Sequence, residues 1–387
     1  MDRKRRHRIS HLIFRITGIL FLALVLGLSL VNYLLPDREF SEQENRMLAQ
    51  KPQLRLDSLA DGSYMEKYES YQADQFAGRD TWMEISSGME LLLGQRESNG
   101  VFKGKDHCLL EDLESDSGEN VQENVNAINA FAERNQDRKL YAMFVPDAAE
   151  IWKDKLPAFA VTEDQSAQLD RLRSELPESM QWIDAAAALE EHKDEAIYYN
   201  TDHHWTTLGA YYAFQNAKEV LGLDEAYAET YTPYAVTNSF NGTLAARSGY
   251  ERGQQETIYI YFPDGENPVE AVVHDVENGQ KTASLYAPEK LEEKDKYAVF
   301  LGGNSPLLDI RTTSDSTETL LIFKDSYANC FIPFLIPYYR QILVVDPRYY
   351  YGNVQELIEE NQIANILFLY NANTFFTDNS LSGVLDV

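Results

Sequence analysis

The chain has 387 residues, and its 62 acidic side chains outnumber its 34 basic ones, which gives a net charge of −28 at pH 7. A domain this acidic repels nucleic acid and other phosphate-rich polymers at long range, so we expect no nucleic-acid partner. The two cysteines, Cys108 and Cys330, can form one bridge at most and lack the C-x-x-C spacing of a zinc site.

The N-terminal residues predict where the rest of the chain lies. Residues 1–15, MDRKRRHRISHLIFR, form a basic tail, and residues 16–36 begin with about 20 uncharged residues, enough to cross a membrane as a helix. Because basic flanks stay in the cytoplasm, residues 37–387 are expected outside it. A cleaved signal peptide is the alternative, but its apolar region is usually shorter and ends in a small-residue site that this run lacks. The sequence therefore predicts a single-pass protein of the cell membrane, with its N-terminus in the cytoplasm and the remaining domain outside the cell.

The remainder divides into a helical extension and an α/β domain. Residues 37–125 are predicted to be mostly helical, since apolar residues recur every three or four positions. Within residues 126–387, helices alternate with short apolar runs, the pattern of a parallel sheet covered on both faces. The predicted strands are LYAMFVP (140–146), MQWID (180–184), TLLIF (319–323), QILVVD (341–346) and ANILFLY (364–370).

An inserted segment at about residues 225–318 departs from this pattern. It contains three stretches of alternating polar and apolar residues: ETIYIYF, EAVVHDV and KYAVFLG. Alternation of this kind predicts strands, so we expect a β-rich antiparallel insertion.

A serine follows one of the predicted strands. In open α/β sheets, ligands bind at the carboxyl ends of the strands, and TLLIF is followed there by KDSYANCF. With a helix predicted from about Tyr327, Ser326 would lie on a tight turn with its hydroxyl exposed near a helix N-terminus, which suits an acyl-transfer nucleophile. The alternative is that Asp325 or Ser326 only caps the helix.

The stretch NTDHHWTTLGAYYAF (200–214) contains an acid and two histidines in adjacent positions. A serine nucleophile needs a general base, and that base needs a partner that orients it. In an extended segment Asp202 and His204 share a face that His203 does not. Asp202 would then orient His204 toward Ser326, with His203 as a structural or solvent-facing neighbour. A structural polar cluster and a metal site remain as alternatives, although H-E-x-x-H spacing and a third nearby ligand are missing.

TDHHWTTLGAYYAF and LLIFKDSYANCFIPFL together resemble the DHHW family, which is similar to the SGNH-type acetyltransferases of alginate biosynthesis. FSEQENRMLAQKP (40–52), DQFAGRDTW…LLLGQRESNGVFKGKD (74–106) and FNGTLAARSG (240–249) fit the same family. The resemblance implies an SGNH-hydrolase-like three-layer α/β/α fold in permuted motif order. We expect no metal and no cofactor. It also implies Ser326, His204 and Asp202 as nucleophile, base and orienting acid. Lys324 departs from the glycine that precedes D-S in many SGNH enzymes.

The remaining site residues are expected where neighbouring strands end. In SGNH enzymes an asparagine after the third such strand completes the oxyanion hole, and Asn371 or Asn373 is similarly placed, with Asn371 coming first. Arg348 would hold a substrate oxygen or carboxylate, or else is a surface arginine in a tyrosine-rich loop.

These features lead to one functional hypothesis and two alternatives. The first is O-acetylation of an extracellular or cell-wall polysaccharide, with acetyl supplied by a membrane-bound O-acyltransferase partner. An acetylesterase would use the same residues with water as acceptor, because the difference lies in how well the site excludes water. A non-catalytic glycan-binding or assembly protein on the same scaffold is the third possibility.

Overall fold

A computed structural model describes residues 3–41, 46–251, 253–265 and 267–385. The chain divides into two compact units, Met1–Met89 and Glu90–Val387.

The first unit consists of helices and one short β-ribbon. Within the described residues, one helical segment, Leu12–Leu34, is long and apolar enough to cross a membrane, which suits an anchor or a signal sequence. Residues 42–45 of the FSEQENRMLAQKP stretch lie outside the described residues. The elements are α1 (Arg3–Leu34), β1 (Phe40–Ser41), β2 (Arg46–Met47), α2 (Leu56–Ala60), α3 (Ser63–Asp74) and α4 (Arg79–Leu92), which ends beyond the boundary of the unit.

The boundary between the compact units lies after Met89, whereas the predicted helical extension runs to residue 125. Residues 90–125 contain a three-stranded antiparallel sheet and the start of a helix. These strands are β3 (Glu97–Ser98), β4 (Val101–Lys103) and β5 (Leu109–Glu111).

An eight-stranded sheet forms the centre of the second unit. Its spatial order is β11-β10-β12-β14-β13-β15-β6-β7, in which β14, β13, β15, β6 and β7 are parallel and the other three strands are antiparallel. Its strands are β6 (Lys139–Val145), β7 (Met180–Trp182), β10 (Ala271–Asp275), β11 (Gln280–Thr282), β12 (Leu307–Thr312), β13 (Thr319–Lys324), β14 (Gln341–Val345) and β15 (Asn365–Asn371).

Helices cover both faces of this sheet. Alternate residues of β13 belong to two different core clusters: Leu320 and Ile322 pack on one side, Leu321 and Phe323 on the other. Every residue of β13, β14 and β15 is buried, as expected for strands covered on both faces. The three-layer α/β/α fold predicted from the sequence is therefore confirmed. The helices are α5 (Glu119–Arg134), α6 (Ala148–Ile151), α7 (Gln165–Glu175), α8 (Ala185–Glu191), α9 (Thr207–Leu221), α10 (Thr243–Ser248), α11 (Val354–Glu360), α12 (Ala372–Thr377) and α13 (Ser380–Leu385).

The inserted segment contributes to two sheets. Strands β8 (Tyr231–Phe240) and β9 (Glu256–Pro263) form a separate antiparallel pair, whereas β10, β11 and β12 extend the central sheet beyond β14. The predicted strand KYAVFLG is wrong, because Lys296–Val299 is a 3₁₀ helix. Tyr297 and Val299 are buried and Lys296 and Ala298 are partly exposed, so one helical turn produces the same alternation as a strand.

Both cysteines of this unit are unpaired. Cys108 and Cys330 are both free and buried, so they form no bridge. The other 3₁₀ helices are Lys153–Lys155, Glu225–Tyr227, Pro288–Glu292, Ser326–Cys330 and Ile332–Tyr338.

Candidate active site

Ser326, Asp346 and Asn371 lie at or just after the ends of three neighbouring parallel strands. β13 lies between β14 and β15, with Phe323 opposite Val345 on one side and Phe368 on the other. Ser326, Asp346 and Asn371 therefore come off the same edge of the sheet. The predicted parallel arrangement of these strands is confirmed, and it places the three residues where open α/β sheets bind ligands.

The turn after β13 positions Ser326. Asp325 caps the next helix, since its Oδ1 accepts a hydrogen bond from Tyr327 N at 2.9 Å, while Oδ2 accepts one from Asn371 N at 3.0 Å. That helix, Ser326–Cys330, is a 3₁₀ helix, and a second 3₁₀ helix follows it. The predicted helix from Tyr327 is thus not α-helical. Pro333 lacks the backbone N–H that would extend an α-helix from the first segment.

The DHHW stretch folds as a tight turn. Tyr198 and Trp205 form an antiparallel bridge, and Tyr199 N donates to His204 O at 3.2 Å. Inside the turn, Asp202 Oδ1 accepts a hydrogen bond from His204 N at 3.0 Å. The acid and the second histidine therefore share a side because the chain turns between them.

A hydrogen-bonded chain joins this turn to the serine. His204 Nδ1 lies 2.6 Å from Asp202 Oδ1, and His204 Nε2 lies 2.8 Å from Ser326 Oγ, across 122 positions of sequence. Asp202 and His204 are buried and Ser326 is partly exposed, so the serine is the member that an incoming molecule can reach. The arrangement has the order and spacing of an acid–base–nucleophile triad.

His203 lies beside this chain of side chains. Its ring centroid is 3.9 Å from that of His204, and its Nδ1 lies 2.8 Å from Thr243 Oγ1 and 3.7 Å from Asp202 Oδ1. The expectation that His203 points to the opposite face is wrong, because the period-2 rule for extended chains does not apply to a turn.

Two residues outside the predicted site hold Asp202 in place. Thr243 donates its backbone N–H (2.8 Å) and its hydroxyl (2.9 Å) to Asp202 Oδ2. A Cβ on Gly242 would lie 2.2 Å from Asp202 Cβ, so only glycine allows this approach. The sequence contained the signal, a glycine followed by a hydroxyl residue in FNGTLAARSG, but no local pattern connects it with Asp202.

The protonation states suit general-base chemistry. Burial, together with His203 and Arg348, lowers the pKa of His204 to about 4, although Asp202 acts in the opposite direction. Burial opposes ionisation of Asp202, but His203, His204 and the bond from Thr243 N outweigh it and hold the pKa of Asp202 well below its usual value. At neutral pH the imidazole is uncharged and faces a carboxylate, so His204 can accept a proton from Ser326.

Arg348 is fixed beside the site by a buried carboxylate. Its Nε and Nη2 donate to Asp346 Oδ1 and Oδ2 at 2.8 and 2.6 Å, and Lys324 Nζ lies 3.3 Å from the same Oδ2. Burial raises the pKa of Asp346, but the bonds from Arg348 and Lys324 outweigh this and lower it. Asn304, from the glycine turn GGNSP, accepts from Lys324 Nζ at 2.7 Å. Lys324 therefore belongs to an ion network beneath the serine turn.

The two asparagines occupy different environments. Asn371 Oδ1 accepts from Thr374 N at 3.1 Å, and among the described residues its buried Nδ2 has no hydrogen-bond partner, although Asp147 lies nearby. Asn373 Oδ1 accepts from Glu114 N and Gln165 Nε2, and its Nδ2 donates to Asp112 O. The side chain of Asn373 is thus engaged in joining two other segments, residues 112–114 and the start of α7.

Asp202, His203 and His204 also have the spacing of a metal site, since one ligand atom from each lies within 4.8 Å of the others. Asp202, however, has four hydrogen-bond donors, and both ring nitrogens of His204 face Asp202 and Ser326. A metal would have to displace some of these bonds.

Comparison with known proteins places the chain among relatives. The model of the family described as DHHW protein matches residues 109–345, more than half of the chain. The structure of a DHHW family protein from Eubacterium siraeum is 26% identical, covers 74% of this chain and 95% of its own, and has a TM-score of 0.64. Bacillus cereus PatB1 with a sulfonyl adduct is 21% identical, covers 72% and 98%, has a TM-score of 0.58 and shares the fold. No curated protein sequence matches. Because the family model matches more than half of the chain, the chain belongs to the DHHW family.

Proposed function

We propose that the protein is an O-acetyltransferase that modifies an extracellular or cell-wall polysaccharide. The observation that carries this proposal is the hydrogen-bonded chain from Asp202 through His204 to Ser326. In the first half-reaction His204 Nε2 takes the proton of Ser326 Oγ as that oxygen attacks the acetyl carbonyl of the donor. The leaving group departs with the proton from His204, and acetyl-Ser326 remains.

The second half-reaction uses the same residues in reverse. A sugar hydroxyl gives its proton to His204 and attacks the acetyl carbonyl, which forms the sugar ester and returns the proton to Ser326 Oγ. Asp202 stabilises the imidazolium in both steps, and its bonds from Thr243 keep it oriented. Asn371 is the proposed oxyanion donor, because its Nδ2 is buried with no partner among the described residues. Arg348, held in a fixed direction by Asp346, is the proposed contact for a substrate oxygen.

The acetyl donor is proposed to be a membrane-bound O-acyltransferase that delivers acetyl groups across the bilayer. The apolar helix Leu12–Leu34 supports this arrangement, since an anchor would keep Ser326 close to a donor in the membrane. We place the basic tail in the cytoplasm and Asp37 onward outside it. Reporter fusions after residue 40 should be active only outside the cytoplasm, and activity only inside would contradict the topology.

The proposed activity is tested by incubating the purified protein with an acetyl-ester chromophore, with and without oligosaccharide acceptors, and weighing the products. Acetylated oligosaccharide that disappears in Ser326→Ala supports a transferase. Free acetate alone would identify an esterase, and no turnover of any ester would favour a glycan-binding role. Since PatB1 was solved with a sulfonyl adduct, a sulfonyl fluoride provides a second readout: one sulfonyl group is expected on the Ser326 peptide.

A further inference from the structure

The imidazole of His204 is enclosed between two aromatic rings. Tyr297 stacks on it with a centroid distance of 3.7 Å and an interplanar angle of 14°, and His203 lies at 3.9 Å with an angle of 37°. Two rings this close to the same centroid cannot share one side, so they cover opposite faces. At the edge of the imidazole, Nδ1 is hydrogen-bonded to Asp202 and Nε2 to Ser326.

Tyr297 is held by contacts that do not involve His204. It lies on the 3₁₀ helix Lys296–Val299 of the inserted segment and is buried. Its hydroxyl is 3.2 Å from Cys330 Sγ, and its ring packs against Phe300 at 5.1 Å and Tyr199 at 6.4 Å. Burial raises the pKa of Cys330 to about 12, so this partner stays a neutral thiol. The Tyr297 ring is thus held in a fixed position, and the imidazole of His204 packs against it.

We propose that Tyr297 is a positioning residue for acyl transfer, which keeps the His204 imidazole in line between Asp202 and Ser326 and shields one face of it from water. The inference rests on the proposed function, since it concerns the same base. In this proposal the inserted segment contributes Tyr297, which covers one face of the His204 imidazole. His203, from the DHHW turn, covers the other face.

The physical consequence is a change in the proton affinity of His204. The charged or titratable groups facing His204 are Asp202, His203, Tyr297, Tyr327 and Arg348, and burial is the largest cause of its lowered pKa. Removing the Tyr297 ring admits water to one face and should raise the pKa from about 4 toward the ordinary value of about 6.5. Because His204 must be neutral to act as the base, the rate of Ser326 acylation in such a variant should begin to fall at a higher pH than in the wild type as the pH is lowered.

The test measures by mass the rate at which a sulfonyl fluoride modifies Ser326, between about pH 3 and pH 8, a range that contains both the lowered His204 pKa of about 4 and the ordinary histidine value. The acid limb is the part of the pH profile in which the modification rate falls as the pH is lowered. In Tyr297→Leu its midpoint should move to a higher pH by at least about one unit. Tyr297→Phe keeps the ring and should retain the wild-type limb. If Tyr297→Leu does not fold, Tyr297→Met, whose unbranched and flexible side chain adapts better to an irregular gap, takes its place.

The matched control is Tyr286→Leu. Tyr286 lies in the same inserted segment, packs against Phe300 at 6.1 Å and donates to Tyr261 O at 3.0 Å, but makes no ring contact with His204. The Tyr286→Leu variant should have a lower thermal stability than the wild type and an acid limb at the wild-type pH. An unchanged limb in Tyr297→Leu, or an equal shift in Tyr286→Leu, would overturn the positioning role while Ser326 modification upholds the nucleophile. Failure of the wild-type protein to be modified at Ser326 would overturn the proposed function and this inference together.

Discussion

Gly242→Ala offers a direct test of how Asp202 is held. The added Cβ would lie 2.2 Å from Asp202 Cβ and 2.4 Å from Asp202 Oδ2, whereas ordinary contact begins at 3.4 Å. The backbone of Gly242 has φ −87° and ψ −170°, an extended conformation that alanine adopts without strain. The effect is therefore steric, and Asp202 and the new methyl group must separate by about 1.2 Å.

That displacement is large compared with the tolerance of the site. The bond between Asp202 Oδ1 and His204 Nδ1 is 2.6 Å long, and a shift of about 1 Å stretches it beyond hydrogen-bond range. Misplacement of this size costs about 10²-fold in rate, and overpacking costs about 1–3 kcal/mol in the free energy of unfolding. We expect kcat for acetyl-ester turnover to fall by about two orders of magnitude while the variant remains folded.

Gly118→Ala is the matched control for this experiment. Gly118 is also a helix N-cap in extended conformation, with φ −74° and ψ 156°, and a Cβ there meets only Asn120 N at 4.0 Å. It should keep wild-type kcat and lose less than about 1 kcal/mol of stability. Wild-type kcat in Gly242→Ala, measured beside a denaturant titration, would refute the argument that this glycine positions the acid.

Three further predictions concern the site. Ser326→Ala and His204→Ala should each abolish nearly all acyl transfer, because the residues act as a unit. Asp202→Asn should lower kcat/KM by less, since the nucleophile and the base both remain. Equal losses of kcat/KM in all three variants would contradict these roles. The wild-type rate of acyl transfer should fall as the pH drops through the His204 pKa of about 4, since a protonated base is inactive. A midpoint near the ordinary histidine pKa would show that burial does not lower the pKa of His204. Lys324→Met should lower the free energy of unfolding in urea titrations by about 1–3 kcal/mol, because buried Asp346 loses the hydrogen bond from Lys324 but keeps those from Arg348; an unchanged midpoint would show that Arg348 alone compensates Asp346.

The sequence by itself determined the parts of this protein that depend on local pattern. The buried strands β13, β14 and β15 are continuous apolar runs, and their alternation with helices predicted a parallel sheet whose strand ends share one edge. The uncharged run after the basic tail predicted an apolar helix. The motif around Asp202 and His204, together with the serine after β13, was enough to identify the family and to propose which side chains meet.

The tertiary structure decided what depends on contacts distant in sequence. His203 packs against His204 because the DHHW stretch is a turn closed by Tyr199 and His204, and no periodicity distinguishes such a turn from a strand. Gly242 and Tyr297 come from segments that local patterns described only as a loop and a strand, yet one permits the approach to Asp202 and the other covers His204. Close packing selects these residues for volume and shape at one point in space, and a pattern along the chain carries no information about that point.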